Sequence, residues 1–299
     1  MTEQPELPRG IALVWGVAAS PQRGPKREMS VERIVDAAIE LADAEGLGAV
    51  SMAAVAARLG YTPMSLYRYV TAKDELTLLM QETALGPPPD HVNSGEGWRI
   101  RLAAFHAALL AAYLEHPWVL ELPLATLTVT PNSAAWMDAG IAALAGTPLD
   151  DDARLSTALL VSGHARMAAA VAAEERRGAD FVSGGGSGPG VLASLVTADD
   201  YPDLRRALDA GVLESESDPF RFGLDRILDG ISVHIDAIAA NGVTPPPEPV
   251  EDDGDVLADR RYREARKAVR EAEKALRAAR AHARQTLREA RERAGKGRS

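Results

Sequence analysis

Thr62, Met64, Ser65, Tyr67, Arg68 and Tyr69 crowd into one short stretch, TPMSLYRY, with Lys73 close behind. Hydroxyls, phenols and a guanidinium at this density are suited to hydrogen-bonding phosphates and base edges, and a methionine or threonine methyl to touching a thymine methyl. Covalent chemistry has no comparable constellation. The acid pairs Asp151-Asp152, Glu174-Glu175 and Asp199-Asp200 fall where helices begin or end, and no serine, histidine and carboxylate converge on them. The chain has no cysteine, which excludes disulfides and thiolate catalysis and leaves a zinc site only histidines and carboxylates. The expectation is no catalytic residue, no metal and no cofactor.

The stretch Ser51 to Val70 has to position those side chains. Met52, Val55, Ala56 and Leu59 recur at helical spacing behind Ser51, a good N-cap, and Gly60 supplies a left-handed stop. Thr62 then caps a second short helix and Pro63 suits its first turn. Leu66 and Val70 turn inward, which leaves Met64, Ser65, Tyr67, Arg68 and Tyr69 facing out. Two short helices across a glycine turn read either as an ordinary αα-hairpin or as a helix-turn-helix whose second helix enters a major groove. The flanks favour the second. Ser30 to Glu45 is amphipathic, with Val31, Ile34, Val35, Ala38, Ile39, Leu41 and Ala42 apolar, and TAKDEL from Thr71 opens a further helix.

Taken together, the helices IVDAAIELADAEGL, SMAAVAARLG and TPMSLYRYV and the opening KDEL resemble the DNA-binding domain of the TetR family of transcriptional regulators. The resemblance implies an all-α protein: an N-terminal three-helix helix-turn-helix domain over residues 30–85 and a helical ligand-binding and dimerisation domain over 97–241. The DNA-binding residues it implies are Ser51, Met52, Thr62, Pro63, Met64, Ser65, Tyr67, Arg68, Tyr69 and Lys73. Arg23, Lys26 and Arg27, just before the first helix, read as a phosphate or minor-groove arm or as a solvated linker. The implied partners are double-stranded operator DNA, a small-molecule effector and a second copy of the chain. The implied operation is a population shift in which the effector releases a palindromic operator.

The composition is that of a globular chain, with 46% apolar residues and a mean hydropathy of -0.12, and no apolar run reaches the roughly 20 residues of a membrane helix. A cytoplasmic location is the default expectation. The net charge of -10 suits a DNA-binding protein only because it is unevenly spread. Around the hairpin the acids lie mostly on the first helix, whereas the bases lie before it and in the hairpin. Residues 1–29 read as a flexible extension, within which the apolar island Ile11 to Trp15 either docks on a neighbour or stays disordered until a partner binds.

From Trp98 onward the pattern is helical almost throughout. Helices are expected over 98–115, 133–145, 150–177 and 220–240, with a weaker stretch over 191–213 and a glycine-rich linker over 178–190. Polar or aromatic residues interrupt apolar faces at Phe105, His106, Tyr113, Trp118, Trp136, Met137, His164, Arg166 and Met167, so they are candidates for a mostly apolar ligand pocket as well as for core. FGLD at 222–225 with LDGI at 228–231 resembles the last helix of tetracycline-repressor-type C-terminal domains. In that light Gly163, Phe220, Gly223, Leu224, Ile227 and Ile231 are candidate dimer contacts, small residues allowing close helix approach. ELPLAT at 121–126 offers no histidine and metal arrangement of the tetracycline-binding kind.

Residues 242–254, rich in proline and acids, form a linker, and 255–299 form a long basic helix, the departure from the usual family length. Tyr262, Val269, Leu276, Ala283 and Ala290 repeat every seven residues beside Ala265, Ala272, Ala279 and Thr286. This alanine-rich seam fits a thin coiled coil or a free, salt-bridged helix. Fifteen Lys and Arg face seven acids here, a net of +8 that leaves the rest of the chain at -18. The tail could therefore contact DNA without sequence preference, fold back on the acidic body, or serve a structural protein that acts through the coil.

Overall fold

The computed structural model describes residues 7–17, 29–123, 130–182, 195–212, 217–242 and 259–296. Among them every regular element is helical. Arg23, Lys26 and Arg27, the glycine-rich segment beyond Val182 and most of the linker after Gly242 lie outside the described residues. The chain divides into two units, 1–244 and 245–299.

In the first unit, α1 (Arg9–Val14), α2 (Val31–Glu45), α3 (Met52–Leu59), α4 (Pro63–Leu66) and α5 (Lys73–Leu85) follow one another. The two serines begin their helices as their spacing requires, since Ser30 accepts from Arg33 N and Ser51 from Ala54 N. Gly60 ends α3 at φ 77°, a conformation that costs a side chain with a Cβ far more than glycine. Ile34 and Ala38 of α2, Val55 and Ala56 of α3, Leu66 of α4, Val70, and Leu76 and Met80 of α5 are essentially sealed from solvent in one core. That shared core, rather than the four-residue α4 itself, holds the second hairpin helix in place.

The apolar island docks. It forms α1, which packs on α5 so closely that a Cβ at Gly10 would lie 3.1 Å from Leu78 Cδ2. Residues 9–14 thus depart from the flexible extension expected of 1–29. Arg9 reaches over α5, with its Nε 3.9 Å from the Glu75 carboxylate and its Nη2 donating to the Tyr69 carbonyl. Glu75 is itself buried and accepts from the backbone N–H and the hydroxyl of Thr71. The turn between α4 and α5 is tied down from both sides.

The rest of the unit contains α6 (Trp98–Glu115), α7 (Pro131–Ala143), α8 (Asp151–Val182), α9 (Pro202–Asp209) and α10 (Pro219–Asn241). α6 and α7 pack on α8 and on each other, and α10 packs on α8. Leu102, Phe105, Leu109, Trp136, Ala143, Leu144, Val161, Ala165, Leu224, Leu228 and Ile231 form this second core. Asp150 caps α8 through Ala153 N, and Asp218 caps α10 through Phe220 N and Arg221 N. α8 runs past its expected end at residue 177, to Val182. Over residues 151–178 it is also long and apolar enough to cross a membrane by composition alone, contrary to the sequence expectation. Its Val161, Ala165 and Ala169 are buried among the other helices, whereas Leu159, Leu160, Met167 and Val171 are exposed, so internal packing uses only part of its apolar surface.

The second unit contains α11 (Arg260–Lys296), a single uninterrupted helix.

Candidate nucleic-acid interface and effector cleft

On the hairpin, burial separates the expected DNA-binding residues into two kinds. Thr62, Pro63, Met64, Tyr67, Arg68 and Lys73 are exposed, Ser65 and Tyr69 are half-buried, and Leu66 and Val70 anchor the segment from below. Met64 is 75% exposed, which leaves its whole side chain available for an outside contact. Thr62 and Ser65 share a hydrogen bond between their hydroxyls, 3.0 Å, which orients both on the outer side of α4. Ser51 is exposed but already caps α3. Met52 is a correction: it is 6% exposed and belongs to the first core, since the position after an N-cap on α3 turns under the helix. Arg58, the other base of the hairpin, pairs with Glu40 of α2 at 2.9 Å and ties α3 to α2.

A short 3-10 turn, Pro117–Glu121, lies between this domain and the second core. Trp118, buried, donates its indole N–H to Asp43 of α2 at 2.8 Å, and His116 Nδ1 lies 2.9 Å from the same carboxylate. From the other side Arg166 of α8 donates to the carbonyls of Leu120 and Leu122, 2.9 and 2.8 Å, while its guanidinium lies 5.7 Å from the Tyr113 ring centroid. Trp118 and Val119 are part of the first core. The turn is therefore a strut joining α2 to α8, and Trp118 is a structural residue there and not, as expected, a pocket residue.

A second link joins α5 to α7. Asn132 N donates to the Glu82 carboxylate and Asn132 Nδ2 to the Glu82 carbonyl, and Trp136 Nε1 donates to the Gly86 carbonyl, all within 2.8 to 2.9 Å. Beside it opens a cleft of about 530 Å³. Its walls are Leu85, Pro87, Pro89 and His91 on one side, Ala104, Ala107, Ala108, Ala111, Ala112 and Glu115 of α6 on another, and Trp136 at its edge. Alanines at i, i+3, i+4 and i+7 along α6 leave space that larger side chains would fill, and the prolines keep the 86–89 segment from closing into a helix.

Of the expected pocket residues only Trp136 reaches this cleft. Phe105 is 1% exposed and packs in the second core with its ring centroid 5.9 Å from that of Trp136. Tyr113 lies under Arg166. Met137 is half-buried outside the cleft lining, and Met167 is 55% exposed on the far side of α8. The signal that would have found the cleft was the run of alanines on α6, which a search for large or polar residues passes over.

His106 and His164 pair with each other. Nε2 of His106 and Nδ1 of His164 lie 2.9 Å apart, joining α6 to α8, and Phe220 of α10 meets His164 edge-on. Burial first, then the neighbouring His164, pushes His106 down to about 4, and burial lowers His164 as well, while Asp218 opposes both shifts. The two imidazoles are thus neutral near pH 7, one N–H donating to the other ring's nitrogen. They form a polar tie between α6 and α8. Among the described residues no cluster of three histidines or carboxylates could hold a metal ion.

The expected dimer residues also move. Leu224 and Ile231 are buried in the second core and Ile227 packs against it. Gly223 faces inward, where a Cβ would lie 2.8 Å from His164 Nε2, and Phe220 rests on that same ring. The strong apolar stripe of α10 serves its own chain. Gly163 alone of the six points to open space. It lies among Leu160, Met167 and Val171 on an exposed face of α8, and Phe222, Gly230 and Val233 make an exposed face on the adjoining α10.

Residues 34–80 match the model of bacterial regulatory proteins of the tetR family, and residues 91–235 match that of the tetracyclin repressor-like C-terminal domain. The chain is 33% identical over 234 residues to the HTH-type transcriptional repressor DrrR1 of Streptomyces coeruleorubidus, covering 76% of this chain and 86% of that one. Two solved structures of the TetR family protein ActR from Streptomyces coelicolor superpose on it. The complex with (S)-DNPA is 26% identical at a TM-score of 0.55, covering 70% of this chain and 99% of that one. The complex with actinorhodin is 25% identical at 0.54, covering 69% and 96%.

Proposed function

The chain belongs to the TetR family and is a DNA-binding transcriptional regulator, and from that premise we propose that it represses as a homodimer released from a palindromic operator by a small, mostly apolar effector. The observation that carries the reading is the outward-facing row Thr62, Met64, Ser65, Tyr67 and Arg68 held over a sealed core. Thr62, Met64, Ser65, Tyr67 and Arg68 are assigned to base and phosphate contacts and Tyr69 and Lys73 to phosphates, and Arg23, Lys26 and Arg27, which precede the first helix in sequence, to phosphates or the minor groove. The domain limits of this proposal are 30–85 for DNA binding and 97–241 for effector binding and dimerisation.

The effector site is the α6 cleft. Its volume of about 530 Å³ and its mostly alanine and proline walls, with His91, Glu115 and the Trp136 ring at the margins, suit a flat apolar molecule fixed by a few polar contacts. The complexes of ActR with actinorhodin and (S)-DNPA support binding of a small molecule. Because Leu85, Pro87 and Trp136 line the cleft, a ligand there presses on the α5 to α7 link, and α5 carries the turn that seats α4. The mechanism is a shift between two arrangements of that link, the effector favouring the one in which two hairpins no longer match successive turns of DNA. A gel shift with the DNA upstream of the chain's own gene tests the reading. A retarded complex that a planar apolar ligand dissolves supports it, and no complex at any salt concentration refutes it.

A further inference from the structure

α11 lies beyond residue 235, where the matched family model ends, and the helix-turn-helix reading gives it no task. Its heptad seam has a counterpart on its back. Positions 260, 263, 267, 270, 274, 277, 284, 288 and 291 are all Arg or Lys, and Ala281 alone interrupts the series. Steps alternating between three and four residues keep these positions on one side of a helix, roughly opposite the alanine seam. Where its side chains are described, at 260, 263, 267, 270 and 274, the stripe is exposed. Two of these bases pair locally, Arg260 with Glu264 at 3.0 Å and Lys267 with Glu271 at 3.9 Å, pairs that water and salt weaken readily.

We propose that this stripe is a sequence-independent binding surface for the phosphate backbone of duplex DNA. A base every three or four residues places a positive charge about every 5 Å along a helix roughly 55 Å long. Duplex DNA carries a denser line of opposite charge, about one phosphate per 1.7 Å of axis, so each base of the stripe has a phosphate within reach, and the pairing gains entropy by releasing condensed counterions. The acidic remainder of the chain is a poorer partner, because its net -18 is scattered over 254 residues and has no such line of charge. Joined to a DNA-reading hairpin, the stripe raises the local concentration of DNA contacts without altering what is read.

The test uses the full chain and two duplexes, one of random sequence and one carrying the operator. Arg263→Gln, Lys267→Gln, Arg270→Gln and Lys274→Gln combined remove four stripe charges while keeping good helix formers. On the random duplex the expected result is at least about tenfold weaker binding at low salt and a salt slope shallower by roughly 3 to 4 for each stripe engaged, since each neutralised phosphate accounts for about 0.9. Arg263→Lys with Arg270→Lys, which keeps the charge, should bind as the parent does. Circular dichroism of equal helicity separates loss of charge from loss of fold. An unchanged slope overturns the proposal. So does tighter DNA binding by the Gln variant, the result expected if the stripe covers the acidic body, and so does a loss confined to anionic phosphatidylserine vesicles. Because the random duplex carries no operator, this outcome is independent of whether the hairpin reads sequence.

Discussion

Arg68 is exposed on the segment that α4 and Leu66 present, and it supports no part of the core beneath it. Arg68→Ala should therefore weaken operator binding about tenfold or more, a loss of about 1–3 kcal/mol for a bidentate base contact, while the thermal midpoint and the dimer are preserved. Loss of the dimer would assign the residue to structure. Met52, on the first helix of the hairpin, does the opposite job to Met64 on the second. At 6% exposure in the first core, Met52→Ala should cost about 2–5 kcal/mol of stability, whereas Met64→Ala should leave the denaturation midpoint in place and lower only DNA affinity. His106 makes a further prediction at this scale. Its folded value near 4 lies below the ordinary 6.5, so the unfolded chain binds the proton first as pH falls. Stability is then full above pH 6.5 and declines by up to about 3 kcal/mol between pH 6.5 and 4, a decline that His106→Gln should flatten in urea titrations.

Besides the α5 to α7 link of the proposed mechanism, the strut at 117–121 joins the hairpin domain to α8, so both are places where an effector signal could be broken. Trp118 and His116 hold Asp43 of α2, and Arg166 holds the same turn to α8. Trp118→Phe keeps the buried ring but removes the indole donor, so operator affinity should survive while release by effector weakens several-fold in a gel shift with added ligand. Ala108→Leu, which projects a larger side chain into the cleft, should abolish effector release without touching operator binding. These elements also show where sequence reasoning carried and where it stopped. The hairpin was legible because caps, a left-handed glycine and helical spacing are local, and Ser51, Gly60 and Leu66 did what such residues do. The cleft was not, because a cavity is made of what is absent. Ala104, Ala107 and Ala108 read as helix formers, whereas Trp118 and Phe105, large and conspicuous, were used up by packing. The strong stripe of α10 misled in the same way, since periodicity marks a buried face without telling which helix buries it.

At the scale of the whole molecule, the proposed dimer assigns to its interface the exposed Leu160, Gly163, Met167 and Val171 of α8 and Phe222, Gly230 and Val233 of α10. Met167→Glu with Val233→Glu should yield a folded monomer in sedimentation, with operator affinity reduced to that of a single hairpin. The net charge of -10 is then the sum of an acidic body and a basic helix and not a property of the DNA face. Sequence reading by the hairpin is tested most directly by selection from a pool of random duplexes by the full chain, repeated with Arg68→Ala. The expected result is enrichment of an inverted repeat with half-sites about one helical turn apart, at roughly 34–36 Å, and loss of that enrichment in the variant. Recovery of no common sequence, or of the same sequence with equal affinity by Arg68→Ala, would contradict it.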